Sequence, residues 1–185
     1  MTASRLFPST GLGSTVFAAG RSGVRDLTAR PRLGLRGRGT PNWCAAAGLP
    51  FPAEINGIAR AGSIRVARLG TYELLVLSDD GLPIAAPAEP VPEAFDGYRD
   101  ETWAWFRFEG PAVANALATM TAVDLRPAAA PAGRVLQTRF AGLDVVLVID
   151  RRDPDLAVDL FFDIASVDYL LGAISDRAPE LLTAA

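Results

Sequence analysis

Asp124 and Arg126 stand two residues apart, just ahead of Pro127. That spacing lets a carboxylate and a guanidinium act on one substrate, but with no histidine or lysine in the chain to move a proton beside them, a loop-anchoring pair is the preferred reading. Gly34, Gly37 and Gly39, interleaved with Arg36 and Arg38, resemble the start of a phosphate cradle. The dinucleotide fingerprint needs its third glycine where Asn42 stands, so a turn between a strand and a helix is preferred. Asp150, Arg151, Arg152, Asp153 and Asp155 form a charged turn, read as a solvated loop; as a metal site it lacks the glycine and terminal glutamate of a calcium loop. Cys44 follows Trp43 on an apolar helix face and reads as packed and inert.

Composition narrows the chemistry further. The 185-residue chain has no histidine, and all 18 of its basic residues are arginine. It therefore lacks the usual general base, the usual partner of a serine or cysteine nucleophile, and any amine for a Schiff base or a P-loop. A net charge of -3 argues against nucleic acid or an anionic membrane as the main partner. One cysteine cannot form an internal disulfide, which fits a cytoplasmic location. No apolar run approaches the roughly 20 residues of a membrane span, and Pro8, Gly11, Gly13 and Ser14 interrupt any signal-peptide core.

The elements that must position these residues are short. The run from Ala122 to Asp163 reads as a β-meander. Its middle strand, Leu143–Ile149, is apolar enough to be buried on both faces, and in its last strand Leu156, Val158, Leu160 and Phe162 share one face. A helix follows, with Ile164, Val167, Leu170, Leu171 and Ile174 on one side. Earlier, Arg32–Arg36 alternates as a strand. Thr40 is placed to cap a short helix with Pro41 at its first position. Strands near Ile64–Leu69 and Tyr72–Ser78 are joined through Gly70-Thr71.

The expected fold class is α+β: two similar halves of antiparallel sheet with short helices, one compact domain overall. Residues 1–22 read as a flexible arm whose Phe7 and Phe17 are candidates to dock on another chain. Residues 23–79 form the first half. Residues 80–101, with Pro83, Pro87, Pro90 and Pro92, read as an extended linker. Residues 102–185 form the second half. Both halves run strand, glycine turn, proline-started helix and antiparallel strands, with Leu33-Gly34-Leu35-Arg36-Gly37 matching the segment that ends at Glu109-Gly110. Trp103, Trp105, Arg107 and Glu109 fall on one strand face opposite Ala104, Phe106 and Phe108, making the tryptophan face a candidate partner surface.

Several segments, taken in order, resemble the γ subunit of heterotetrameric sarcosine oxidase, a family related to the glycine-cleavage T-protein fold. They are Ser22-Gly23-Val24-Arg25-Asp26-Leu27 leading to Leu33–Gly37, Ala46–Pro52 with Asn56, Arg68–Val76, Asp124–Pro127 through Gly133 to Arg139, and Ser166–Leu170. Together they span roughly residues 22–175. There are departures: Tyr72 takes a position usual for tryptophan, Arg126 one where histidine is common, and the proline-rich 79–98 stretch one where many members have a helix.

The resemblance implies a non-catalytic subunit that stabilises the large α and β subunits, beside a δ subunit, in a flavin-dependent complex. Such complexes demethylate sarcosine or a related N-methyl amine. It also implies that FAD, FMN, NAD and tetrahydrofolate belong to the partner chains. The alternative it leaves open is a stand-alone tetrahydrofolate-binding protein of one-carbon metabolism, whose pterin-holding carboxylate would be Asp124, Glu73 or Asp159.

Overall fold

The computed structural model describes residues 10, 12, 21–126, 128–152 and 155–182. Among these residues ten strands lie in two antiparallel sheets of five. The N-sheet holds β2 (Arg32–Arg36), β3 (Ile58–Ala61), β4 (Ile64–Gly70), β5 (Glu73–Ser78) and β6 (Phe95–Asp96), in the order β6-β2-β5-β4-β3. The C-sheet holds β1 (Gly23–Asp26), β7 (Trp103–Glu109), β8 (Arg134–Phe140), β9 (Leu143–Arg152) and β10 (Asp155–Asp163), in the order β1-β7-β10-β9-β8.

The two orders superpose strand for strand, so the sequence repeat is a repeat of topology. The glycines that follow β2 and β7 mark its axis. Gly37 and Gly110 take φ of 112° and 117°, which side chains rarely adopt, and their N–H groups donate to Tyr72 O at 2.9 Å and Leu156 O at 3.3 Å.

The halves are not segregated as 23–79 and 102–185. The strand that precedes each half crosses to the other sheet: β1 runs antiparallel to β7, and β6 runs antiparallel to β2. The expected linker therefore carries β6 and a short helix α2 (Arg99–Thr102). Its proline-rich part lies over the outer face of the N-sheet, with Ile84, Val91 and Ala94 against Leu35, Trp43, Val66, Leu74 and Val76.

Helix α1 (Thr40–Ala46) covers the same face. Thr40 does not cap it: Gly39 holds the cap position, no side chain caps the helix, and Thr40 is buried inside its first turn. Pro41 does stand in that first turn. The outer face of the C-sheet is covered by α3 (Val113–Ala118) and α4 (Val167–Arg177), the latter entered through a 3-10 turn at Ile164–Ser166. Val167, Leu170 and Ile174 of α4 are buried, as their spacing requires.

The inner faces of the two sheets pack on each other. Strand β9 divides its apolar residues between layers: Val145, Leu147 and Ile149 face the helices, while Val146 and Val148 face the N-sheet. Strand β10 splits in the same way, with Leu156, Val158, Leu160 and Phe162 toward the helices and Phe161 toward the N-sheet.

Candidate functional site

Charged residues stand in the inner face of the C-sheet where an apolar core is expected. Strand registers set Arg25 of β1 beside Arg107 of β7, and Arg107 beside Asp159 of β10. Arg65 reaches this row from β4 of the facing sheet, and its Nη1 donates to Asp159 Oδ2 at 2.6 Å. Arg107 Nη1 donates to both Asp159 oxygens at 3.1 and 3.0 Å, and Trp105 Nε1 donates to Oδ1 at 2.8 Å. Asp159 is fully buried, and Arg65 is 1% exposed.

Burial by itself raises a carboxyl pKa. Here the two guanidiniums and the indole outweigh it, and Asp159 is held at about 2. Arg65 and Arg107 are pushed up against their own desolvation by the facing carboxylates. Glu109 pairs with Arg25 at 3.0 Å and with Arg107 at 3.3 Å. Asp79 and Asp150 continue the network outward to Arg60 at the surface. A polar cavity of about 150 Å³ lies over it, with Arg30, Asp79 and Asp150 among its lining residues.

This arrangement joins sheets; it does not move protons. A carboxylate with four donor contacts and a pKa near 2 is no base at neutral pH, and guanidiniums do not deprotonate. The expected partner face of Trp105 and Arg107 is thus an internal one. Trp105 is fully buried and Arg107 nearly so, because β7 is an inner strand and the N-sheet covers the face that alternation alone leaves open. Half-buried Trp103 borders a cleft, with the Arg99 guanidinium 4.0 Å above its ring. Phe7 and Phe17 lie outside the described residues.

That cleft has a volume of about 390 Å³ and is lined by residues of both sheets. Its lining includes Glu73, Arg99, Trp103, Gln137, Arg139 and Asp144, with Leu69, Val146 and Phe161 as apolar members. Gly34 makes room for Arg99: a Cβ there would come within 2.1 Å of Arg99 Cγ. So placed, Arg99 Nη2 pairs with Glu73 Oε1 at 2.7 Å.

The other two glycines of the suspected phosphate cradle are filled by the chain itself. Gly39 N donates to Glu93 O at 2.9 Å, and a Cβ on Gly37 or Gly39 would strike the carbonyl of Glu93 or Pro92 at 2.1 or 2.0 Å.

Asp124 and Arg126 pair with each other at 2.5 Å on an exposed loop, so the structure keeps them as a local anchor. Asp150 is not a solvated loop residue; it lies within β9, just after its apolar run, and is paired with Arg107 at 3.2 Å. Cys44 is fully buried, and burial pushes its thiol up to about 11. Among the described residues no three metal-ligating side chains converge. Sequence reasoning missed Arg65 and Arg99 altogether. A signal for Arg65 existed: Asp159 and Arg107 break the second, apolar faces of β10 and β7, and two unlike charges in register call for a third group from across the layer.

Two face-to-face antiparallel sheets of one strand order, with few short helices, define an α+β fold of the T-protein type. The structural comparisons make this specific. The chain is similar to a chain of the heterotetrameric sarcosine oxidase from Corynebacterium sp. U-96, solved in complex with pyrrole 2-carboxylate, with a TM-score of 0.69 and 20% identity over 91% of this chain and 90% of that one. It is also similar to aminomethyltransferase T of the glycine cleavage system from Bartonella henselae, with a TM-score of 0.54 and 10% identity over 89% of this chain and 46% of that one. At these identities the likeness is one of fold, which is the fold expected from the ordered sequence blocks. No protein-family profile and no curated protein matches the sequence.

Proposed function

We propose that this chain is the non-catalytic small, γ-type subunit of a heterotetrameric flavin-dependent sarcosine oxidase or a related N-methyl amine demethylating oxidase. The observation that carries the reading is end-to-end likeness: nine-tenths of this chain matches nine-tenths of one chain of such an oxidase. Its most buried charges support it, because Asp159, Arg65 and Arg107 are spent on joining sheets. In this reading FAD, FMN, NAD and tetrahydrofolate are held by the α, β and δ partners in the cytoplasm, and this chain stabilises the large subunits.

Co-expression with the neighbouring genes tests it. The expected result is a complex that elutes with a yellow flavoprotein. A chain that never associates with a flavin-bearing partner overturns the proposal.

A second reading, a free-standing tetrahydrofolate-binding protein, draws on the T-protein likeness and on Glu73. Of the three carboxylates named for that role, Glu73 alone lines a cleft; Asp159 is saturated and Asp124 is paired on a loop. Calorimetry of the isolated chain with tetrahydrofolate separates the two: submillimolar binding that is lost in Glu73→Gln favours the second.

A further inference from the structure

The proline-rich strap across the N-sheet is anchored by hydrogen bonds at its ends and by apolar packing alone between them. At its start, Ser78 Oγ donates to Leu82 O at 2.7 Å, and Leu82 N donates to Asp80 Oδ1 at 3.0 Å. At its far end, Glu93 O accepts from Gly39 N, and β6 pairs with β2. Residues 83–90 make no hydrogen bond to any described residue.

These residues are nonetheless ordered by their own stereochemistry. Pro83, Pro87, Pro90 and Pro92 each fix φ near −65°, and the residues before them, Leu82, Ala86, Glu89 and Val91, are restricted to extended backbone. From Leu82 to Glu89 burial has a period of three: Ile84 and Pro87 turn inward, while Leu82-Pro83, Ala85-Ala86 and Ala88-Glu89 are exposed. Three residues per turn is the period of a polyproline II helix. Leu82, Ala85 and Ala88 then form one outward ridge, and Leu82 at 64% is the most exposed large apolar side chain among the described residues. The equivalent place in the other half, after β10, is filled by α4, whose apolar face is buried in its own half.

We infer that this strap is the docking element of the chain, a preformed polyproline II ligand for a groove lined by aromatic side chains on the large partner subunit. The occupant follows from the chemistry of the ridge. Bar Glu89 it is uncharged, so it offers little to a charged patch. The exposed rings of Pro83 and Pro90 beside it and its small alanines fit flat aromatic walls closely, and an already extended backbone loses little entropy on docking. This inference rests on the subunit reading above and names the surface through which that subunit binds.

The test uses the full chain co-expressed with its neighbouring large subunits, as wild type, as the double variant Leu82→Asp/Ala85→Glu, and as Tyr169→Ser, which alters an exposed side chain on the opposite helical layer. The two strap side chains are exposed, so the thermal midpoint of the isolated double variant should match wild type. The expected result is association weakened tenfold or more in the double variant and unchanged in Tyr169→Ser. A wild-type complex that the double variant forms with equal affinity overturns the strap and leaves the subunit reading standing. A wild-type chain that finds no flavoprotein partner overturns the subunit reading, and the strap with it. Self-association of the isolated chain that the double variant abolishes makes the occupant a second copy and overturns the partner named here.

Discussion

Replacing Asp159 by Asn leaves the shape of the inter-sheet joint intact and removes its charge. An amide oxygen still accepts from Trp105 Nε1, now 2.8 Å from Oδ1. The amide nitrogen, however, faces Arg65 Nη1 and Arg107 Nη1, which lie 2.6 and 3.0 Å from Oδ2. Two guanidiniums that are 1% and 6% exposed lose the carboxylate they share. Removing one partner of a buried pair costs about 3–5 kcal/mol. Arg65 keeps Asp79, and Arg107 keeps Asp150 and Glu109, so the low end applies. A loss of ~3 kcal/mol lowers the midpoint of a chain this long by roughly 6–12 °C. Urea unfolding followed by tryptophan emission measures it, since Trp105 reports on the site directly. A loss below ~1 kcal/mol with native emission retained would refute the claim that this buried ion cluster joins the sheets. The double variant Arg65→Met/Asp159→Leu sharpens the test: it removes a charge from each sheet together and should recover part of the stability that Asp159→Asn loses.

Three further outcomes follow from single sites. Asp159 is held at about 2, below its unfolded value near 3.8, so its contribution is fully present above the unfolded pKa and is lost as pH falls from about 4 toward 2; acid titration of the unfolding free energy should drop by about 2 kcal/mol across that window, and by much less in Asp159→Asn. Gly110→Ala places a Cβ 2.2 Å from Arg21 O at a φ of 117°, so it should cost about 2–3 kcal/mol or more in chemical denaturation, whereas Gly133→Ala, also at positive φ but with no atom within 4 Å, pays for the backbone alone. Cys44, buried and pushed up to about 11, should react with a thiol reagent at pH 8 at least tenfold more slowly in the folded chain than in urea.

The elements that periodicity shows in the sequence are those that bury one clean face. The meander of β8, β9 and β10 and the helix after it are legible because Leu156, Val158, Leu160 and Phe162 alternate and Val167, Leu170 and Ile174 repeat at helical spacing. Strand β3, Ile-Ala-Arg-Ala, is a short edge with no apolar alternation to detect, and β6 is two residues of an apparent linker. Strand β3 is set by its hairpin neighbour β4 through Gly62-Ser63, and β6 by β2, a partner distant in sequence that no local pattern reports.

The error over Trp105 and Arg107 has a physical cause that also explains the fold. Charged residues opposite an apolar face read as a wet surface when each strand is considered alone. In register, Arg107 and Asp159 neutralise each other, and that pairing allows the face to be covered. The covering sheet must then present a cation of its own at the same height, and Arg65 does so from the start of β4, with its charge met by Asp159 and Asp79. Sheets joined by apolar contact alone can slide by a residue pair at small cost. An arginine on one sheet that must meet a carboxylate on the other admits one alignment, because any slip buries both charges unpaired. The crossed strands β1 and β6 bind each half's lead-in to the opposite sheet, and the ion cluster fixes how the two sheets then stack. Fixing that stack also fixes the outer face of the N-sheet, where the proline strap lies across Val66, Leu74 and Val76.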